Sequence, residues 1–324
     1  MILAGNDRLK GTIAAMIRKG RVPHSIMITA DYGLGRRTAA KYIAAAMLCE
    51  SGSGTPCGVC RHCRKVTDGL HPDVIMVTPN ENGNYAVDDI RKVVSDAIVT
   101  PNEGRVKVYI IPDVDRSKIT GEQVQNILLK LIEEPPDHTA VILTADSKDA
   151  FLQTILSRTV AFGVAPCTQD ECAQYLGMSG KYRYGEIAQA VSASGGNIGR
   201  CIEYLEKGMA YLSAQAAVSI VDAMTQGDDY ALLKAITACD SKKGLLRETL
   251  VTLSIITRDA AALSLGSSEV IGASRESAQK LSARFGAARC ERLYRLICGY
   301  IKKTDQNCSK ALVINGISAA IAQI

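Results

Sequence analysis

The sequence predicts an α/β domain over residues 1–166, built on a five-stranded parallel sheet, followed by a chain that is helical to its end. Three observations predict it. Five short β-branched runs, 26–29, 74–77, 106–111, 140–144 and 160–162, alternate with helical periodicities. Each reads as apolar enough to be buried on both faces, the mark of a parallel sheet covered by helices. The first run leads through a glycine turn, Gly33-Leu34-Gly35, into a helical pattern, and after Pro166 the strand runs vanish while helical periodicity continues.

Taken in order, the run Ile26-Met27-Ile28-Thr29 is followed by Ala39, Ala40, Ile43, Ala44 and Met47 at helical spacing. Ile90, Val93, Val94 and Ala97 recur at i, i+3, i+4 and i+7, with Asp88 and Asp89 in the first turn, where the helix dipole favours negative charge. Val124, Ile127, Leu128 and Leu131 repeat the spacing, and Pro135-Pro136 stops that helix. A short helix over 150–156 precedes the fifth run. This alternation puts the ligand face at the carboxyl ends of the strands, where the glycine turn also lies. Beyond Pro166, helices are expected over 186–192, 198–206, 210–224, 230–238, 245–265, 288–303 and 310–323. Breaks at Gly195-Gly196, Gly227-Asp228 and Leu265-Gly266-Ser267 separate them, and they group into a small helical domain at 167–208 and a longer one at 209–324.

Lys and Arg number 38 against 33 Asp and Glu, a formal charge of +5 that permits a nucleic-acid partner without arguing for one. No run approaches the roughly 18 apolar residues of a membrane span. The stretch from Met1 to Asp7 lacks a basic segment followed by a long apolar one, so a cytoplasmic protein without a membrane partner is expected. The eleven cysteines are an odd count, and Cys167, Cys172, Cys201, Cys239, Cys290, Cys298 and Cys308 are scattered singly, as small apolar residues would be.

Chemistry concentrates in four places. A working phosphate loop reads G-x-x-x-x-G-K-[ST], with the lysine on the β/γ-phosphates and the hydroxyl on Mg²⁺. Here Ala30 stands at the first glycine, Arg36 at the lysine and Arg37 at the hydroxyl position. Gly33 and Gly35 preserve the turn, but productive binding of ATP is not expected. The run Val108-Tyr109-Ile110-Ile111 ends in Pro112-Asp113-Val114-Asp115, where an acidic pair would hold Mg²⁺ in an active enzyme. Pro112 takes the place of the metal-binding carboxylate, and Asp113 and Asp115 read as a solvated strand end or a helix cap.

Cys49, Cys57, Cys60 and Cys63 form the third, two C-x-x-C steps reached through a Gly/Ser loop. Four thiolates complete a tetrahedral Zn²⁺ site, and a closed site is structural. Four unconnected buried cysteines are the plainer alternative; an iron–sulfur cluster is a third, although Thr67 falls where its next cysteine would stand. His62 reads as a bystander pointing away. The fourth place is Ser157-Arg158. Its guanidinium could pair locally with a carboxylate, or it could stabilise a transferring γ-phosphate bound to a neighbour, as an arginine finger.

In order and in spacing, these residues resemble the clamp-loader subunits of bacterial DNA polymerase III, a clade of the AAA+ family. His24, Gly33-Leu34-Gly35, the four cysteines, His71-Pro72-Asp73 and Val87-Asp88-Asp89-Ile90-Arg91 carry the resemblance. So do Asn126-Ile127-Leu128-Leu129-Lys130-Leu131-Ile132-Glu133-Glu134-Pro135-Pro136, Ser157-Arg158 and Gly195-Gly196-Asn197-Ile198-Gly199-Arg200. It covers the first two domains, while the C-terminal helices agree only in pattern. Departures at Ala30, Arg36, Arg37 and Pro112 follow the delta-prime pattern rather than that of tau/gamma, whose Walker A and B motifs are intact.

The resemblance implies an AAA+ domain at 1–166 with a zinc module inserted at 49–63, a helical lid at 167–208 and an all-α collar at 209–324. It implies a subunit that joins tau/gamma and delta subunits and acts with them on the sliding clamp and primer-template DNA. Arg158, with Ser157 helping to fix it, would be presented in trans to the ATP site of an adjacent tau/gamma subunit. Two other readings stand beside this one. One is an active ATPase of tau/gamma type, with Arg36 doing the lysine's work and Asp113 serving alone. The other is a stand-alone zinc-containing nucleic-acid-binding protein using Arg61, Arg64 and Lys65 as a basic patch.

Overall fold

A computed structural model describes residues 3–79, 85–114, 122–147, 153–267, 270, 272, 274–306 and 308–324, with 122–125 described by their backbone alone. The chain separates into two units, Met1–Pro166 and Cys167–Ile324. In the first, helices α1 (Asp7–Arg18), α2 (Arg36–Leu48), α3 (Arg61–Asp68), α4 (Val87–Ala97), α5 (Glu122–Glu133) and α6 (Gln153–Arg158) surround a sheet. Its strands are β1 (Ser25–Thr29), β2 (Val74–Met76), β3 (Lys107–Ile111), β4 (Thr139–Ala145) and β5 (Val160–Gly163), in the order β2-β3-β4-β1-β5. Every neighbouring pair is parallel.

The period-two alternation of the central strands sorts their side chains into two layers. Ile26, Ile28, Val108, Ile110 and Ile142 pack with Leu9, Ile13 and Ile17 of α1 and Ala39, Ala40 and Ile43 of α2. On the opposite face, Met27, Tyr109, Ile111, Val141 and Leu143 meet Ile90 and Val93 of α4, Leu128 and Ile132 of α5, and Ile155 of α6. Burial on both faces, expected for all five runs, holds for β1, β3 and β4. β2 is half-buried and β5 largely exposed, because they are the two edges of the sheet. A run of three or four apolar residues reads the same in a central strand as at an edge.

Two helices of this unit had not been expected: α1, whose Leu9, Ile13 and Ile17 form a stripe four residues apart, and α3, which starts directly after Cys60. The helix expected at 150–156 is described from Gln153 and continues through Arg158, so Ser157 and Arg158 form its last turn.

The second unit contains α7 (Gln169–Gly177), α8 (Tyr184–Ser194) and α9 (Ile198–Leu205), packed around Cys172, Leu176, Ile187, Val191 and Cys201. Helix α7 had no counterpart among the expected helices, although Thr168 and Glu171 form the reciprocal capping box that marks its start. Helices α10 (Met209–Gln226), α11 (Asp229–Ala238), α12 (Leu245–Ser264), α13 (Arg275–Asp305) and α14 (Lys310–Ala322) enclose a separate core that includes Ile220, Leu253, Ile256, Leu293, Ile297 and Ile317. Gly286 interrupts α13 with φ +66° and ψ 175°, so the helix expected at 288–303 is the second of two segments. No helix among the described residues is long and apolar enough to cross a membrane.

Candidate functional site

β1 delivers the chain into the glycine turn and α2 leaves from it. Gly33 (φ +87°) and Gly35 (φ +89°) adopt the left-handed backbone that lets a strand turn abruptly into a helix. Arg36, the first residue of α2, is buried and bends back over the turn. Its Nη1 donates to the Ala30 carbonyl oxygen at 2.8 Å and pairs with Asp146, while Nε donates to Asp113 Oδ1 at 2.7 Å. Arg37 pairs with the other Asp113 oxygen. A guanidinium taken out of water requires such partners.

Asp113 lies just past β3 with φ +54°, unusual for a residue that carries a side chain, and its N–H donates to Thr144 Oγ1 at 2.9 Å. Burial would raise its carboxyl, but Arg36 and then Arg37 outweigh that and hold it below the usual carboxylate range. Asp113 is therefore an ion-paired, mostly buried group, which corrects its reading as a solvated strand end. Its side chain is shielded because two cations converge on it from α2. Asp115 lies outside the described residues. The carboxyl ends of β1, β3 and β4 thus bring together Ala30, Arg36, Arg37, Asp113 and Asp146.

The four cysteines also converge. Cys49 follows α2, Cys60 caps α3 and Cys63 lies in its first turn. Their sulfurs and that of Cys57 all lie within 4.8 Å of one another. Gly52, Gly54 and Gly58 carry the loop through positive φ, and at Gly54 a Cβ would come 2.4 Å from the Ala14 carbonyl oxygen. Backbone N–H groups of Cys57, Cys60 and Cys63 point at the sulfurs of Cys49, Cys57 and Cys60 at 3.4, 3.3 and 3.4 Å. Burial raises the Cys49 thiol, but hydrogen bonds from Ser51 and Cys57 more than reverse this and bring it to about 6. Burial, together with the neighbouring Cys49 charge, pushes Cys63 up. Around one ion with ~2.3 Å bonds, tetrahedral sulfurs stand ~3.8 Å apart. With all four sulfurs within 4.8 Å of one another the quartet could close around one ion, and N–H···S bonds are the outer support such ligands need. No disulfide joins any of the eleven cysteines, all of which are described.

His62 is outside the quartet, yet it is no idle bystander. It is buried, with Nδ1 2.8 Å from Nε2 of the buried His71. The Asp73 N–H donates to His71 Nδ1 at 3.1 Å, so the His71 proton sits on Nε2 and is donated to His62 Nδ1. The remaining His62 N–H faces Glu50 Oε1 at 3.7 Å. Glu103 lies close enough to make His62, His71 and Glu103 a second set of metal-type donors. A metal on His71 Nε2 would require Nδ1 to donate, and Nδ1 faces a donor. The pair is a strut between α3 and the chain entering β2.

Asp73 anchors that strut. It is fully buried and accepts N–H bonds from Asn102 at 2.6 Å, Glu103 at 2.8 Å and Gly104 at 2.7 Å. Burial would raise its carboxyl, but these amides win and hold it at about 2. The folded value lies below the ordinary 3.8, so the associated stability is fully present above about pH 4 and is lost as pH falls through about 2. It amounts to about 2 kcal/mol. Asp73→Asn should lower the urea-unfolding free energy at pH 7 and flatten its decline between about pH 4 and 2. Parallel curves for the two proteins would contradict this.

Arg158 projects from the last turn of α6. Its Nε lies 3.0 Å from Glu133 Oε1, and Nη1 donates to the Thr154 carbonyl oxygen and to Ser157 Oγ, each at 3.2 Å. The local pairing that the sequence allowed is therefore present, and the side chain remains 43% exposed. In the basic run, Arg61 pairs with Glu50 at 2.8 Å and Lys65 with Glu103 at 2.6 Å. Glu50, Glu103, Glu133 and Asp146 had gone unremarked as partners in the sequence.

Residues 5–168 match the family described as DNA polymerase III, delta subunit. The chain is 31% identical over 161 residues to DNA polymerase III subunit tau of Escherichia coli (strain K12), covering 49% of this chain and 24% of that protein. It is 24% identical over 254 residues to DNA polymerase III subunit gamma of Buchnera aphidicola subsp. Acyrthosiphon pisum, covering 75% and 69%. The chain thus spans about a quarter of the length of the Escherichia coli relative. A DNA polymerase III gamma-subunit-related protein of Thermotoga maritima aligns over 97% of this chain and 99% of that one, at 16% identity and a TM-score of 0.41.

Proposed function

The chain belongs to the DNA polymerase III delta-subunit family, and on that premise we propose that it is the delta-prime-type subunit of a replicative clamp loader, without ATPase activity of its own. Arg36 carries this reading. In a working loop the lysine reaches toward phosphate and the strand-end carboxylate toward Mg²⁺. Here the buried Arg36 guanidinium is bonded to Ala30, Asp113 and Asp146 instead, with Arg37 on Asp113. Admitting a nucleotide would break these pairs and leave carboxylates facing phosphate charge. Titrating ATP·Mg²⁺ into the isolated protein by calorimetry is expected to give no micromolar binding. Micromolar binding with turnover would overturn the reading in favour of a tau/gamma-type motor, the alternative raised by the names of the relatives.

In this reading residues 1–166 form an AAA+ domain. Cys49, Cys57, Cys60 and Cys63 would hold a structural Zn²⁺, whose contribution is to tie the 49–63 loop to α2 and α3. Segments 167–208 and 209–324 would serve as lid and collar, the collar joining tau/gamma and delta subunits. Arg158, steadied by Ser157, would be delivered to the ATP site of the neighbouring tau/gamma subunit. Through that assembly the chain would help load the sliding clamp on primed DNA.

A further inference from the structure

We propose that Glu133 is a positioning residue for Arg158, an inference that rests on the trans-finger reading above. Glu133 is the last residue of α5, and Pro135-Pro136 ends the chain's helical course just beyond it. Helices α5 and α6 pack on the same face of the sheet through Leu128, Leu131, Ile132 and Ile155, so both partners stand on fixed elements. Sites mounted on packed helices are held more closely than sites on loops.

The contacts divide the guanidinium. Glu133 pairs with Nε at 3.0 Å, Thr154 and Ser157 take Nη1, and Nη2 makes no hydrogen bond or ion pair with another described residue. The carboxylate therefore steadies the near end of the fork and leaves the far end for an anion. Arginine carries one of the largest side-chain entropies, and its planar fork acts only in one orientation. Fixing that orientation before the subunits meet removes an ordering cost from the step in which the phosphate is engaged.

The test uses a complex reconstituted with tau/gamma and delta subunits, in single-turnover experiments that isolate this site, reading the maximal DNA- and clamp-stimulated ATPase rate (kcat) and the ATP concentration for half of it (KM). Glu133→Ala is expected to lower kcat about fivefold with KM for ATP unchanged. Glu133→Gln keeps the side chain's length and an oxygen beside Nε but not the charge of the ion pair, and should retain intermediate activity. Adding Glu133→Ala to Arg158→Ala should cost nothing further. Wild-type kcat for Glu133→Ala alongside an impaired Arg158→Ala would overturn the proposal, as would equal losses for the Ala and Gln variants. An unimpaired Arg158→Ala would instead sink the trans-finger reading itself. Size-exclusion profiles and helical circular dichroism confirm that each variant folds and assembles.

Discussion

Arg158→Ala should reduce stimulated turnover at the neighbouring ATP site by about a thousandfold, the lower end of what a trans-supplied guanidinium contributes to phosphoryl transfer. On the trans-finger reading, the loss is this large because the guanidinium's charge on the transferring phosphoryl would go unreplaced by any group of this chain. Arg158 is at the surface, and its removal breaks one exposed ion pair and two helix-end hydrogen bonds, so folding and assembly should survive. Arg158→Lys should rescue little, since a single ammonium cannot reproduce the fork. Single-turnover measurements on the reconstituted complex isolate the affected site, because steady-state rates mix it with the others. Unchanged turnover would remove the trans role.

The second large effect is expected at the cysteine quartet. Elemental analysis should find one zinc per chain, and Cys63→Ser should abolish it. Structural zinc sites in small modules contribute about 10 kcal/mol or more. In this larger unit, chelation should free the 49–63 loop and lower the thermal midpoint, with Cys308→Ser, an exposed residue far along the chain, as the unaffected control. Zinc-free protein with an unaltered melting curve would refute the metal assignment.

Much of the first unit was legible because its signals are local. Ile26-Met27-Ile28 and Val108-Tyr109-Ile110-Ile111 carry strand character in themselves, and the cysteine spacing carries its chemistry. What was not legible depends on contacts between distant residues. Arg36 meets Asp113 across 77 positions and Asp146 across 110, so nothing near Arg36 foretold that it would be buried and bonded. His62 looked idle because its partner His71 lies beyond α3, and the orientation of the pair is set by the Asp73 amide. The edge positions of β2 and β5 follow from sheet order, which apolar runs do not encode. In the second unit, the segment before Gly286 escaped notice because its buried positions, Ser277, Ala278 and Leu281, are small or sparse.

The Arg36 cluster also sets what a single substitution at the glycine turn can do. A lysine at position 36 would keep the positive charge but lose the planar fork that meets Ala30, Asp113 and Asp146 at once, while Arg37 would still pair with Asp113. A change toward a working phosphate loop would therefore have to replace the arginine and also find a new role for the carboxylates that it now holds. The arginine acts as a latch across the carboxyl ends of three strands, joining groups 77 and 110 positions away to the start of α2.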